Sequence, residues 1–145
     1  RRRRVRSGQM AEPETTPADP TDADGEALAV LAARTASGLK ATDVVVLDVG
    51  DVLSITGYFV IASASNPRQV RAVADDVEAK VKTELGRSPV RTEGLREQQW
   101  TLIDYGDVVV HVFLESVREF YEIERLYMES PKVAWEAPGP ESLNA

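Results

Sequence analysis

The segment WTLIDYGDVVVHVF, residues 100–113, predicts a β-hairpin that is apolar on both of its faces. A hairpin on the surface of a soluble protein needs only one apolar face, because the other face meets water. Tyr105 and Gly106 fit a two-residue turn between the strands. With that turn, the predicted cross-strand pairs are Asp104 with Asp107, Leu102 with Val109, and Trp100 with His111. A fold that contains this hairpin has to bury both sides of it.

Side chains alternate between the two faces of a strand, and this alternation sorts the hairpin into two sets. The first face is β-branched and suits a core beneath helices; it carries Thr101, Ile103, Val108, Val110 and Val112. The second face is mixed and aromatic, as in many interfaces; it carries Trp100, Leu102, Val109, His111 and Phe113. Either helices cover both faces, or the second face is left for a partner to cover.

The rest of the chain predicts an α/β (α+β) fold, a mixed five-stranded sheet with helices packed on it in the order α-β-β-α-β-β-β-α. The predicted helices span about residues 25–39, 67–85 and 116–128, and the other predicted strands span 43–49, 54–63 and 88–94. The first of these strands is too uniformly apolar to be an edge strand, whereas Pro89 places 88–94 near an edge. Three helices can hardly cover both faces of five strands, so an apolar patch should remain.

Local signals mark where the helices begin and end. Asp22 or Asp24 would cap the first helix. Asn66 followed by Pro67 predicts the start of the second helix, and Gly86 predicts its end. The predicted buried stripes are Val70, Val73, Val77 and Val81 in the second helix, and Val117, Phe120, Ile123 and Tyr127 in the third.

The charge of the chain restricts its partners. The net charge is −7, and no cysteine is present to form a disulfide or a thiolate site. The predicted folded part is acidic and would repel phosphate, so DNA and an RNA backbone are disfavoured as ligands and a basic protein is the better match. No segment approaches the roughly 18 apolar residues of a membrane helix. These features fit a cytoplasmic protein without a membrane partner.

Both ends of the sequence differ in composition from its centre. Residues 1–10 carry five arginines, and six acids follow in residues 11–26. We expect Met10 to be the true start, residues 1–25 to be a disordered extension, residues 26–130 to form one domain, and residues 131–145 to be a loose tail. The arginines also allow a different hypothesis, an RNA-binding arm.

The ionisable residues of the hairpin have a structural and a catalytic interpretation. Asp104 and Asp107 flank a turn, where aspartate is favoured for local hydrogen bonds. With Asp48 they could instead hold magnesium in an enzyme that transfers nucleotides, but such sites also need a phosphate cradle, and no glycine-rich phosphate loop is present. His111 in an apolar strand is more simply a packed ring than a base. In the last helix, Arg118 and Arg125 would pair with glutamates on a solvated face.

The hairpin followed by REFYEIERLY resembles the signature of the ribosomal silencing factor family, whose members are also known as Iojap-like proteins. The blocks DVVVLDV, ITGYFVIASASNPRQVRAVADDV and the pair EG at 93–94 are similar to the earlier blocks of the family and stand in the same order. The resemblance covers about residues 26–130. It departs from the family pattern at Gly57, Gln99 and Tyr127.

The resemblance implies a fold related to nucleotidyltransferases but without their catalytic signature, so the protein should not be an enzyme and needs no cofactor or small-molecule substrate. It implies binding to the large ribosomal subunit through ribosomal protein L-fourteen, which blocks joining of the small subunit and represses translation when nutrients are scarce. Family members also tend to form homodimers. The partner-binding residues carried over by position are Trp100, Leu102, Asp104, Tyr105, His111 and Phe113.

Overall fold

The computed structural model describes residues 20–136 except 52, 54, 55, 122 and 128. Within these residues, three α-helices and five strands follow one another in the predicted order, and a 3-10 helix that was not predicted follows the last α-helix. They are α1 Pro20–Gly38, β1 Thr42–Asp48, β2 Tyr58–Ala64, α2 Pro67–Leu85, β3 Arg91–Glu93, β4 Trp100–Asp104, β5 Val108–Leu114, α3 Glu115–Tyr121 and the 3-10 helix Ile123–Tyr127. The predicted fold class is confirmed: the strands form one mixed sheet in the order β1-β2-β5-β4-β3.

The sheet combines parallel and antiparallel pairs. β2 and β5 are parallel, and the other three pairs are antiparallel. The parallel pair needs a long crossover, and α2 provides part of it. α1 and α2 pack on one face of the sheet, which we call the helix face, and α3 packs on the opposite face, against β2 and β5.

α2 has the bounds that its sequence predicts. Asn66 accepts a hydrogen bond from the backbone N–H of Gln69 at 2.8 Å, and Pro67 occupies the first turn, where its missing N–H costs nothing. Gly86 has a φ of 69° and ends the helix with its N–H bonded to the carbonyl of Lys82. The predicted stripe of four valines is buried.

Two helices differ from their predicted bounds. α1 begins at Pro20, so Asp22 and Asp24 lie inside the helix and not at its N-cap position. Proline is well suited to a first helical turn, and acids are stabilising near a helix N-terminus. The predicted helix 116–128 is shorter, because α3 ends at Tyr121 and the 3-10 helix follows. The predictions for residues 1–19 and 137–145 concern parts of the chain outside the described residues.

The hairpin has the predicted faces but a different register. Trp100 pairs with Phe113, Leu102 with His111, and Asp104 with Val109. The predicted pairing is therefore wrong by two residues, because the connection is longer than a two-residue turn and the N–H of Tyr105 bonds to the carbonyl of Val108. A shift of two residues leaves every side chain on its predicted face.

The position of β1 is the main error in the predicted sheet, since β1 is an edge strand. Its free edge is covered by the segment 131–133. The carbonyl of Pro131 accepts from the N–H of Asp48, and the N–H of Val133 donates to the carbonyl of Val46, both at 2.9 Å. Residues 131–136 are therefore not a loose tail, because 131–133 cover an edge that would otherwise be open to another strand and the carbonyl of Trp135 is bonded to Arg34 of α1. The predicted edge position of β3 is confirmed.

Candidate docking surface

The face of the sheet opposite α1 and α2, which we call the second face, is only partly covered by helices. Its buried cluster lies on β1, β2 and β5 and extends to Val49, just after β1; it consists of Leu47, Val49, Phe59, Ile61, Val109 and Phe113. Val117 of α3 and Ile123 and Tyr127 of the 3-10 helix pack against this cluster. The Tyr127 ring meets Phe59 edge-on, with 5.0 Å between the ring centroids. The covering helices thus lie mainly over the β2 and β5 side.

Trp100 and Leu102 lie on β4, toward the side of the second face where β3 forms the edge. Both side chains are only partly buried, although Phe113 beneath them is fully buried and His111 is 4% exposed. The Trp100 indole stacks on the Phe113 ring at 4.8 Å with an interplanar angle of 28°. Trp100 and Leu102 therefore present apolar area to solvent beside the buried rings of His111 and Phe113. We call these two residues and the adjacent Asp104 the β4 patch.

A hydrogen bond links Trp100 to His111. The indole Nε1–H donates to Nδ1 of His111 at 3.2 Å. The imidazole also meets Phe59 edge-on at 4.8 Å. Burial lowers the pKa of His111 from 6.5 to about 4, and the carboxylate of Asp104 opposes this shift only in part. His111 is therefore a neutral, packed ring near pH 7.

Gly94 sets the backbone position of Trp100. It has a φ of 82°, and a Cβ at this position would clash with the Trp100 carbonyl oxygen. Its own carbonyl accepts from the Thr101 hydroxyl and from the N–H of Gln98. Only glycine fits this combination of positive φ and close backbone approach. The pair EG at 93–94 carries part of the family resemblance, and the structure shows that its glycine lies against the backbone of Trp100.

Tyr105, a turn residue that the family resemblance implies for partner binding, does not point outward from the turn. It is 3% exposed and packs with the helix-face core. The alternation that places Thr101 and Ile103 on the helix face continues through Tyr105. Arg87 lies over its ring at 5.9 Å, and burial raises the pKa of Tyr105 to about 12. Tyr105 therefore belongs to the helix-face core and not to the β4 patch.

The three aspartates considered for metal binding each have a partner within the chain. Asp104 accepts from the N–H of Gly106 at 2.8 Å, as the turn interpretation predicts, and Asp48 accepts from the N–H of Gly50. Asp107 forms a two-pronged ion pair with Arg87, at 2.7 and 3.0 Å. Within the described residues, no group of three or more histidine, aspartate or glutamate side chains is arranged to hold a metal ion.

Two arginines have roles that the sequence pattern did not predict. Arg87 joins the end of α2 to the hairpin turn through Asp107 and the carbonyl of Tyr105. Arg118 is buried rather than placed on a solvated face, and it donates to the carbonyl of Asp43 at 2.6 Å and to the Ser63 hydroxyl at 2.8 Å. The irregular pairing of β1 near Asp43 leaves that carbonyl available. Both contacts join residues far apart in sequence.

Comparisons with known proteins agree with the fold and the family resemblance. The family model described as ribosomal silencing factor during starvation matches residues 22–144. A ribosomal silencing factor of Chromobacterium violaceum is 39% identical over 97 residues, which are 67% of this chain and 79% of that protein. The chloroplastic Iojap protein of Zea mays is 39% identical over 116 residues, which are 77% of this chain and 50% of that protein.

A solved structure matches as well. A crystal structure of a Chromobacterium violaceum protein superimposes with a TM-score of 0.68 and 33% identity, covering 81% of this chain and 97% of that one. Fold and surface together define a mixed α/β protein with a partly open sheet face. The chain belongs to the ribosomal silencing factor family. Among the described helices, none is both long and apolar enough to cross a membrane.

Proposed function

We propose that this protein binds the large ribosomal subunit through ribosomal protein L-fourteen, sterically prevents the small subunit from joining, and so represses translation under nutrient limitation. The observation that carries the proposal is the family match over residues 22–144, which includes all the strands of the sheet. In this proposal the protein acts by occupying a surface and is not an enzyme. We also propose that it works in the cytoplasm as a homodimer.

The β4 patch is the proposed contact with the ribosomal protein. Trp100 is the anchor, because a tryptophan buried at the centre of an interface is a frequent hot spot whose truncation costs on the order of 2 kcal/mol. That loss corresponds to roughly a thirtyfold weaker complex. Leu102 extends the apolar area beside it, and Asp104 supplies an acid for a basic partner. The buried residues His111 and Phe113 contribute indirectly, because their rings pack against Trp100.

The test combines sedimentation with direct binding. The protein should co-sediment with isolated large subunits and be absent from assembled ribosomes. Leu102→Asp should weaken binding to isolated ribosomal protein L-fourteen by at least tenfold, because it places a charge in an apolar contact. Leu85→Asp is the matched control, since Leu85 is a partly exposed leucine on α2, in the helix layer. Equal binding by the two variants, or sedimentation mainly with small subunits, would contradict the proposal.

The catalytic hypothesis has its own test. We expect the purified protein to have no nucleotide turnover. No loss of turnover should therefore be detected in the variants Asp48→Asn, Asp104→Asn and Asp107→Asn. Asp104→Asn should still weaken the ribosomal complex, since Asp104 belongs to the β4 patch. Magnesium-dependent turnover of a nucleoside triphosphate that these substitutions abolish would instead support an enzyme.

A further inference from the structure

His111 occupies the point where the buried part of the second face meets the β4 patch. It pairs with Leu102 across the hairpin, and its ring stands beside Phe59, Trp100 and Phe113, with centroid distances of 4.8, 6.1 and 6.1 Å. An apolar ring would satisfy this packing as well as an imidazole. The polar atoms of His111 therefore need a separate explanation.

We propose that His111 is a positioning residue for the docking surface, because its Nδ1 accepts the indole Nε1–H of Trp100 and holds the indole stacked on Phe113 in the orientation that the partner meets. This inference rests on the proposed function of the β4 patch. It assigns to His111 an action through Trp100 and no direct contact with the ribosomal protein.

The other nitrogen of the ring supports this assignment. Since Nδ1 accepts a hydrogen bond, the neutral imidazole carries its proton on Nε2. Nε2 is buried and has no hydrogen-bond partner among the described residues. A buried donor without an acceptor destabilises a fold, so histidine is a poor choice for stability at this position. The hydrogen bond from Trp100 is the one polar contact of the imidazole in the described structure.

Two further properties suit the imidazole to this role. Burial holds the pKa of His111 near 4, so the Nδ1 lone pair is free to accept throughout the neutral range. The Trp100 indole is only partly buried, and the hydrogen bond to Nδ1 adds to its stacking on Phe113 in favouring one rotamer. An anchor that is already ordered loses less side-chain entropy on binding, which corresponds to about a five- to tenfold tighter complex.

The test compares two substitutions that separate stability from positioning. His111→Phe keeps a packed ring and removes both the acceptor and the buried Nε2–H. His111→Asn keeps an acceptor oxygen near the Nδ1 position but leaves a cavity. We expect the phenylalanine variant to melt within a few degrees of the wild type and to bind isolated ribosomal protein L-fourteen about five- to tenfold more weakly. The asparagine variant should melt at a lower temperature and bind more tightly than the phenylalanine variant.

The indole N–H resonance of Trp100 provides a readout that does not depend on the partner. Trp135→Phe assigns it, because the chain has two tryptophans. The Trp100 resonance should move and exchange faster with solvent in His111→Phe, and should return toward its wild-type position in His111→Asn. An unchanged resonance in His111→Phe would overturn the inference, whatever the binding result.

The binding of the Leu102 and His111 variants distinguishes an error about positioning by His111 from an error about the docking surface. If Leu102→Asp weakens binding while His111→Phe binds like the wild type, the docking surface is right and positioning by His111 is wrong. If Leu102→Asp binds as well as Leu85→Asp, the docking surface itself is wrong. Binding that follows the melting temperatures of the two His111 variants would show a purely structural role and would also overturn the inference.

Discussion

Val110 and Leu102 are both apolar residues of one hairpin, but they face different surroundings. Val110 is 1% exposed and packs in the core beneath α1 and α2, whereas Leu102 is partly exposed on the β4 patch. A charge at position 110 has no water or partner to stabilise it. We therefore expect Val110→Asp to lower the free energy of unfolding by about 4 kcal/mol, and Leu102→Asp to lower it far less. Urea unfolding of both variants measures the difference, and equal losses would mean that the β4 patch is core.

The buried state of His111 predicts how stability changes with pH. Its pKa is about 4 in the folded protein and 6.5 in the unfolded chain, so only the unfolded chain takes up this proton between those values. The stabilisation is fully present above pH 6.5 and is lost as the pH falls toward 4, by up to about 3 kcal/mol. Unfolding measured from pH 7.5 to 4 in the wild type and in His111→Phe isolates this contribution, because the phenylalanine does not titrate. Parallel pH curves for the two proteins would show that the native imidazole titrates normally.

At the scale of single elements, β1 depends on a segment that follows it by more than 80 residues. Val133 donates its N–H to Val46 and packs against the helix-face core. Arg34 of α1 holds the same segment through the carbonyl of Trp135 at 2.6 Å. The edge of β1 is thus closed by the chain itself, which removes a row of backbone groups that could pair with another molecule.

Val133→Pro tests this closure, because proline removes the N–H that reaches β1. We expect a loss of about 1–3 kcal/mol beyond that of Val133→Ala, which shortens the same side chain but keeps the donor. Thermal melts give the comparison, and light scattering on heating shows whether the opened edge promotes association. Equal melting temperatures would mean that this backbone bond contributes little.

At the scale of the whole molecule, charge and apolar contact should affect binding in different ways. The chain carries a net charge of −7, and the proposed partner is basic. Attraction between opposite charges acts mainly on the association rate and is screened by salt, since the Debye length falls from about 10 Å at 0.1 M to about 3 Å at 1 M. We therefore expect the association rate with ribosomal protein L-fourteen to fall as salt is raised.

The apolar contact made by Trp100 should instead affect the dissociation rate. Trp100→Ala should raise the dissociation rate with little change in the salt dependence of association, because an apolar contact forms after the encounter. Surface plasmon resonance at several salt concentrations measures both rates. An association rate that does not change with salt would show that charge does not contribute to the choice of partner.

Much of this fold was determined by local sequence. Asn66, Pro67 and Gly86 act through hydrogen bonds and φ preferences within a few residues, so the bounds of α2 could be predicted. Side chains of the hairpin alternate with a period of two. The predicted faces are therefore correct even though the predicted register is wrong by two residues. The family signature is likewise a property of the sequence alone.

Only the tertiary structure decided the features that depend on distant parts of the chain. Tyr105 is buried because its strand alternation turns it toward the helix face, where Arg87 lies over its ring. β1 is apolar although it is an edge strand, because residues 131–133 cover it. Trp100 is partly open because α3 and the 3-10 helix lie mainly over the other side of the second face. Each of these features depends on which surfaces meet in the folded chain. Local sequence preferences do not determine those contacts, because the contacting residues are far apart in sequence.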